Sequence, residues 1–172
     1  YKAKNSVRVV PEKFPESITA EFITPTSAQG QIIMDGFPIY FYLELDRETY
    51  EYGFFLNNEE VGKETLNAST HSKITGLYFK FKDLPGKSVT SQIGFSFKSL
   101  AQAKSNPLKN ITTWNFDEIA QKASSKWNQY LSKFEITDPN DDKKGLFYSA
   151  LYKAILMPAN LQGENPFWES DN

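Results

Sequence analysis

Carboxylates are the side chains of this sequence whose type and spacing best suit chemistry. Hydrolysis of a glycosidic bond needs two of them across the scissile bond, one as general acid and one as base or nucleophile. Glu44 and Asp46 alternate with apolar residues, which favours a solvated face of a β-strand. Asp138, Asp141 and Asp142 have the pattern of a helix start and lack the ligand spacing of a calcium loop. We assign no catalytic residue and no metal ligand from these acids.

The last residues of the chain hold the strongest candidate for ligand binding. Trp168 is followed by Glu169 and Asp171 in a loop-like segment that contains Gly and Pro. An aromatic ring beside two acids can stack on a sugar ring while the carboxylates bind its hydroxyl groups. A tryptophan that anchors the packing of a loop is the alternative. The sequence therefore predicts a substrate-binding role for these three residues, with loop packing as the competing interpretation.

Other common chemistries lack the residues they need. His71 is the only histidine and lies in a polar run, and cysteine is absent, so neither a histidine–cysteine metal site nor thiol catalysis is expected. No nucleophile-elbow or phosphate-loop motif occurs. The net charge of −2 argues against a nucleic-acid partner. No apolar run reaches the roughly 18 residues of a membrane span.

Two sequons mark candidate sites of N-glycosylation. Asn67 and Asn110 each begin an Asn-x-Ser/Thr triplet within a polar stretch that is typical of surface loops. Both asparagines carry a glycan only if the protein enters a secretory pathway. The alternative is a chance occurrence of the triplet in a protein that is never glycosylated.

Alternating hydrophobicity predicts β-strands over the first hundred residues. The clearest strand has an apolar face and a polar face, formed respectively by Ile39, Phe41, Leu43 and Leu45 and by Tyr40, Tyr42 and Glu44. Further strands are predicted over 17–24, 31–34, 52–56, 77–81 and 89–97. The last two are expected to form an antiparallel hairpin, while Asp35-Gly36 fits a tight turn or an omitted loop. Short strands without intervening helices indicate an antiparallel sandwich.

Helical periodicity follows the strands. Asn115 and Glu118 form a capping-box pattern, and apolar residues then recur at helical spacing as far as Phe134. A second helix is predicted from Asp138-Pro139 to the residue before Pro158. Both apolar stripes are too wide to be buried by each other alone, so we expect another surface to cover them.

The second half of the chain resembles the family 92 glycoside hydrolases, which are exo-acting α-mannosidases. The residues that carry the resemblance are IGFSFKSLAQA at 93–103, WNFD at 114–117, WN at 127–128, FYSALY at 147–152, LMP at 156–158 and GENPFWESD at 163–171. The segment YFYLELDR at 40–47 also resembles a strand of the family's N-terminal sandwich.

The resemblance implies a mixed, mainly β fold. We expect an antiparallel β-sandwich followed by two amphipathic helices that lead toward an (α/α)6 barrel, most of which is absent from this sequence. The predicted boundaries are 1–98 for an incomplete sandwich, 99–137 for a helical linker and 138–172 for the start of the catalytic domain. The chain is expected to be a fragment, a cleavage product or a partial record of a longer protein.

The resemblance also implies a function for the intact protein. It would remove terminal α-linked mannose, with α-1,2 linkage expected, by inverting hydrolysis that depends on calcium. The general acid, the base and the calcium ligands would lie outside this chain, so the chain alone is predicted to be inactive. The implied partners are mannose-containing glycans and the missing catalytic barrel, in cis or as a second chain, and the implied location is secreted or at the cell surface.

Two other classes stay open. One is a carbohydrate-binding sandwich without catalysis, whose aromatic platforms would include Tyr40, Tyr42 or Trp168. A row of exposed aromatic rings on one flat sheet face would mark it. The other is a structural or interaction domain that forms a closed monomer without affinity for sugars.

Overall fold

Nine strands and three helices make up the part of the chain that the computed structural model describes, residues 6–9, 15–57, 59–69, 75–82 and 88–156. The strands are β1 (Ser6–Val9), β2 (Ser17–Thr24), β3 (Ser27–Met34), β4 (Phe37–Leu45), β5 (Glu51–Leu56), β6 (Glu59–Gly62), β7 (Thr65–Ser69), β8 (Thr75–Lys80) and β9 (Ser91–Ser96). The helices are α1 (Leu100–Asn110), α2 (Phe116–Leu131) and α3 (Asp141–Ile155). The chain divides into two compact units, with one break between Trp114 and Asn115.

The strands form two antiparallel sheets. The larger has five strands in the order β7-β2-β3-β4-β9, and the smaller has four in the order β1-β8-β5-β6. One hydrophobic core draws on both sheets, with Ile18 and Leu43 from the larger and Phe54 and Phe79 from the smaller. The predicted class, a mainly β antiparallel sandwich followed by helices, is therefore confirmed.

An aromatic cluster joins the two sheets. The ring of Phe22 on β2 lies 4.7 Å from the rings of Tyr52 and Phe54 on β5 and 5.6 Å from that of Phe79 on β8. Tilted and edge-on ring pairs at these separations add to the free energy of burial. Phe54 and Phe79 are almost completely buried, and Phe22 and Tyr52 are partly buried residues that pack against this core.

The turn between β3 and β4 is tight. Asp35 and Gly36 both have positive φ angles, 50° and 77°, and Met34 pairs with Phe37 across a two-residue loop. Positive φ at both central residues gives the turn the twist that a hairpin needs. Of the two alternatives left open for this segment, the structure has the tight turn.

The predicted hairpin between residues 77–81 and 89–97 is wrong. β8 pairs with β1 and β5 in the smaller sheet, whereas β9 pairs with β4 in the larger one. Leu43 lies opposite Ile93 and Phe41 opposite Phe95, so apolar matching across β4 and β9 accounts for the partner. Strand periodicity identifies a strand but not its neighbour, and ten residues between the strands are enough to change sheets.

Helix α1 was not predicted. Ser99 caps it, because the Ser99 hydroxyl accepts a hydrogen bond from the Gln102 N–H at 3.1 Å. Pro107 lies inside the helix, and because proline usually ends a helical pattern, the sequence did not indicate a helix here. The strands β1, β6 and β7 were also missed, because each has only four or five residues and little alternation. Residues 133–137, between α2 and α3, form no strand.

Helices α2 and α3 form the second unit. Asn115 caps α2 through its contact with the Glu118 N–H at 3.2 Å, and Asn140 caps α3, one residue after the predicted proline start. The rings of Trp127 and Tyr152 lie 4.5 Å apart and join the two helices. Neither helix has a buried residue. As expected, the apolar stripes of α2 and α3 do not bury each other.

Candidate functional site

Helix α1 covers part of the outer face of the larger sheet. Pro107 lacks the N–H that would bond to the Ala103 carbonyl oxygen, and this oxygen lies against Gly94 on β9. A Cβ atom at position 94 would be 2.0 Å from it and 2.4 Å from Cδ of Pro107. Only glycine permits such an approach. The close packing of α1 on β9 therefore depends on Gly94 and Pro107 together.

Hydrogen bonds made by side chains hold α1 along the edge strand. The Gln102 amide donates to Oδ1 of Asn106 at 2.7 Å, which turns Nδ2 of Asn106 toward the sheet. Nδ2 donates to the Phe95 carbonyl oxygen at 2.7 Å. At the other end, the Ser96 hydroxyl accepts the Lys98 N–H at 3.0 Å. The bond from Asn106 therefore links α1 directly to the backbone of β9.

The chain leaving α1 borders a groove, which we call the outer groove. It is lined by Glu44, Gln92, Ile111, Thr112, Thr113 and Trp114, and its volume is about 390 Å³. Glu44 and Gln92 are directly opposite each other on β4 and β9, so their side chains share the outer face of the sheet. The walls thus combine a carboxylate, an amide, two hydroxyl groups and an indole ring.

Gln92 is unusual among these groups. The residue is only 9% exposed, yet among the described residues its amide has no hydrogen-bond partner. A buried polar group without a partner costs free energy. The amide is not sealed from solvent, since no side-chain atom of the described residues is both fully buried and unpaired. Gln92 therefore presents its amide to the outer groove.

Tyr42 lies beside the outer groove but beneath α1. Its ring is buried, with Nζ of Lys104 at 5.1 Å from its centre, and its hydroxyl lies 3.5 Å from the Glu44 carboxylate. Burial, and next the charge of Glu44, raise the pKa of Tyr42 above its usual range. Tyr42 is thus not an exposed platform of the kind expected for a carbohydrate-binding sandwich.

Asp46 is held in place by its neighbours. Burial alone would raise its pKa, but hydrogen bonds from Arg47 and Thr90 outweigh burial and hold the pKa of Asp46 below its usual range. Arg47 binds both carboxylate oxygens, at 3.0 and 3.2 Å. A carboxylate paired in this way is a poor general acid.

A second polar cluster lies on the smaller sheet. Nζ of Lys80 is 2.7 Å from Glu51 and 3.0 Å from Glu60, and the Tyr78 hydroxyl donates to Glu60 at 2.9 Å. Burial, and next the hydrogen bond to Glu60, raise the pKa of Tyr78 to about 12. The bond from Lys80, and next that from Tyr78, lower the pKa of Glu60. The four groups satisfy one another and join β5, β6 and β8.

The predicted site residues are scattered. Trp168, Glu169 and Asp171 lie outside the described residues, as does His71. Asn67 is exposed on β7, an edge strand of the larger sheet, and Asn110 is the last residue of α1, so neither lies in the surface loop that was expected. Glycosylation of both stays a prediction.

The described residues contain no metal centre. No group of three or more His, Cys, Asp or Glu side chains among them is placed to hold an ion. A calcium site therefore does not fit the part of the chain that the structure describes. In the same residues no helix has the length and hydropathy to cross a membrane.

The outer groove was not found from the sequence. Glu44 was interpreted as a solvated strand residue, and Trp114 was noted only for its part in a family resemblance. Gln92 lies on the non-apolar face of β9 with Gly94 and Ser96, and this face is the buried one, so the alternation of β9 indicated the wrong face. Its apolar residues Ile93 and Phe95 lie on the other face and remain partly exposed.

Comparison with known proteins finds a family match in the second part of the chain. Residues 102–172 match the model of the glycosyl hydrolase family 92 catalytic domain. The match begins inside α1 and includes both helices of the second unit. The resemblance to family 92 glycoside hydrolases that was predicted from the sequence is therefore confirmed.

One curated protein and several solved structures also resemble this chain. A protein described as a secreted glycosidase, from Arthroderma benhamiae, is 31% identical over 86 residues, which are 48% of this chain and 11% of the relative. A family GH92 inverting mannosidase from Bacteroides thetaiotaomicron is 26% identical with a TM-score of 0.71 over 86% of this chain and 22% of its own. A GH92 α-mannosidase from the same organism has the same fold, with a TM-score of 0.67, 20% identity, and coverage of 84% of this chain and 20% of its own. The chain spans about a fifth or less of each.

Proposed function

We propose that this chain is the non-catalytic N-terminal portion of a glycoside hydrolase that removes terminal α-linked mannose, with α-1,2 linkage preferred, from glycans. The observation that carries the proposal is the match of residues 102–172 to a glycosidase catalytic domain. The likeness to an inverting mannosidase at 26% identity supports the substrate and the inverting outcome. Both features are carried over from similar proteins of greater length.

The helix pair supports a missing catalytic barrel as the partner. Large apolar side chains of this unit are solvent-exposed: Phe116, Tyr130, Phe134, Leu146, Phe147, Tyr152, Ile155 and Leu156. Monomeric proteins seldom expose that much apolar surface without a partner that covers it. A barrel that packs on this surface, in cis or as a second chain, would remove it from water.

The pairing of the carboxylates supports a non-catalytic role for this chain. Asp46 is bound by Arg47, and Glu51 and Glu60 are bound by Lys80, so these acids are committed to structure. In an inverting glycosidase, one carboxylic acid protonates the leaving oxygen and one carboxylate activates water. We assign both roles, and all calcium ligands, to residues outside this chain. Calcium would supply binding and distortion of the terminal sugar in the intact enzyme. The chain alone is then inactive.

A product assay tests this proposal. The complete reading frame and the 172-residue chain would be purified in parallel and incubated with an α-1,2-mannobioside, with and without EDTA. Proton NMR of the first product would report its anomer. We expect the complete protein to release β-mannose, EDTA to stop release, and the chain alone to give none. Release of α-mannose would exclude inversion, and the absence of any release by the complete protein would sink the hydrolase proposal.

The location is part of the same proposal. We propose that the protein is secreted or displayed at the cell surface, on the strength of the secreted glycosidase to which it is similar. The exposed position of Asn67 is compatible with an attached glycan. Protein isolated from culture medium, with a mass that falls after endoglycosidase treatment, is the expected result. A strictly intracellular protein of unmodified mass would contradict it.

A further inference from the structure

We propose that the outer groove binds a neutral hexopyranose unit of a glycan. The groove is defined by Glu44 and Gln92 on the sheet and by residues 111–114 after α1. Its volume of about 390 Å³ falls in the range of small-molecule sites, which runs from about 300 to 1,000 Å³. The proposal concerns binding alone and does not rest on the proposed hydrolysis.

Gln92 is the residue that points to a ligand with hydroxyl groups. It is about nine-tenths buried and lacks a hydrogen-bond partner among the described residues, although it sits opposite Glu44, an acceptor. A side-chain amide has both donors and an acceptor, and a sugar hydroxyl can form a hydrogen bond with either. The amide and the carboxylate together match two adjacent hydroxyl groups, since one partner donates and the other accepts.

Trp114 supplies the complementary surface. Trp114 is 38% exposed and lines the groove, and no described residue accepts a hydrogen bond from its Nε1–H. One face of a pyranose ring presents C–H groups and its rim presents hydroxyl groups. The flat indole ring can pack against the C–H groups, and its N–H can donate a hydrogen bond to a hydroxyl group. Thr112, which also lacks a described partner, adds a hydroxyl group to the rim.

Charge selects neutral sugars over acidic ones. Among the described residues that line the outer groove, Glu44 is the one ionisable side chain. No lysine or arginine in the part of the chain that the structure describes lines the groove, so the carboxylate would repel a uronic acid or a phosphorylated sugar. A neutral hexose meets none. The groove lined by Glu48, Thr49, Tyr50 and Lys82 differs in having a cation and provides a control.

A sugar titration followed by NMR tests the proposal. The 172-residue chain, labelled with nitrogen-15, would be titrated with methyl α-mannopyranoside and methyl α-glucopyranoside, with glucuronate as the charge control. The signals to follow are the Trp114 indole N–H and the Gln92 side-chain amide. We expect saturable shifts of both signals with a neutral sugar, a dissociation constant on the order of 1 mM, and no saturation with glucuronate.

Variants separate the groove from general effects. Trp114→Ala should weaken binding at least tenfold or so, and Gln92→Leu, which keeps the volume, by about tenfold. Glu44→Gln should weaken binding of neutral sugars and admit glucuronate. Tyr50→Ala, an exposed aromatic in the other groove, should leave affinity unchanged.

Three results would overturn the proposal. They are no saturable shift below about 100 mM sugar, shifts that persist unchanged in Gln92→Leu and Glu44→Gln, or an equal response to glucuronate. Because the last two variants are nearly isosteric, the test stands even if Trp114→Ala fails to fold. Absence of mannosidase activity in the complete protein would leave these titrations unaffected, so the two proposals fail separately.

Discussion

The sandwich and the helix pair α2–α3 solve the problem of burying apolar side chains in opposite ways. In the sandwich, Phe54 and Phe79 are almost completely buried, and polar groups around them are paired. In the helix pair no residue is buried, and Leu146 is 73% exposed. Good caps and helical periodicity therefore define α2 and α3 locally, but they do not supply a core. The comparison indicates that the described residues of the helix pair do not bury their own apolar side chains.

Hydrogen–deuterium exchange should show the difference most strongly. Amide protons of β3, β4 and β8 are expected to exchange through global unfolding, and those of α2 and α3 through local opening. In the 172-residue chain we expect protection factors to differ by at least about a thousandfold, or about 4 kcal/mol. Equal protection in both regions would mean that the helix pair has a core of its own.

A truncation in the core should have the next largest effect. Phe79→Ala removes a ring that is 0% exposed and contacts Phe22, so the free energy of unfolding should fall by about 3–5 kcal/mol. The matched control is Phe37→Ala, at an exposed site on β4, with an expected change within about 0.5 kcal/mol. Urea denaturation measures both. A loss below about 1 kcal/mol for Phe79→Ala would contradict a core centred on this ring.

Two glycines should respond with opposite signs. Gly94→Ala places a Cβ 2.0 Å from the Ala103 carbonyl oxygen, so α1 must shift and we expect a loss of about 1–3 kcal/mol. Gly145→Ala meets nothing within 4 Å inside α3 and should raise helicity, by about 0.5–1 kcal/mol in local stability. Denaturation reports the first and circular dichroism the second. Stabilisation by Gly94→Ala would show that α1 does not pack closely on β9.

The polar cluster of the smaller sheet should give the smallest effect. Tyr78→Phe removes the hydrogen bond to Glu60, at a cost of about 1 kcal/mol at pH 7. Because the pKa of Tyr78 is raised from 10.0 to about 12 in the folded protein, its contribution is complete below pH 10.0 and is lost as the pH rises through about 12. The difference in unfolding free energy between wild type and variant should therefore shrink over this range. A difference that is constant from pH 9 to about 12 would contradict the raised pKa.

Local patterns predicted the elements better than their arrangement. The alternation over residues 39–45 and the cap at Asn115 identified β4 and α2, because both signals depend on near neighbours in the sequence. The partner of β9 was wrong, because pairing depends on side chains about fifty residues away on β4. Pro107 obscured α1, since its effect on the helix is offset by a contact with Gly94 that no local pattern contains.

The candidate groove shows the same limit. Glu44 and Gln92 are adjacent only through the pairing of β4 with β9, and Trp114 joins them only because α1 lies on that face. A sequence pattern has no access to either condition. The resemblance to family 92 pointed to the class of protein, but it did not indicate which residues of the sandwich face a ligand.

The bond from Asn106 to the Phe95 carbonyl oxygen has a consequence for self-association. β9 is an edge strand, and exposed edges with apolar residues are sites where a second chain adds by strand pairing. Phe95 is 56% exposed, so this edge would otherwise be an attractive template for aggregation. With its carbonyl already occupied by a side chain that Gln102 holds in position, an incoming strand finds no acceptor there in register. Helix α1 thus protects solubility as well as positioning the outer groove.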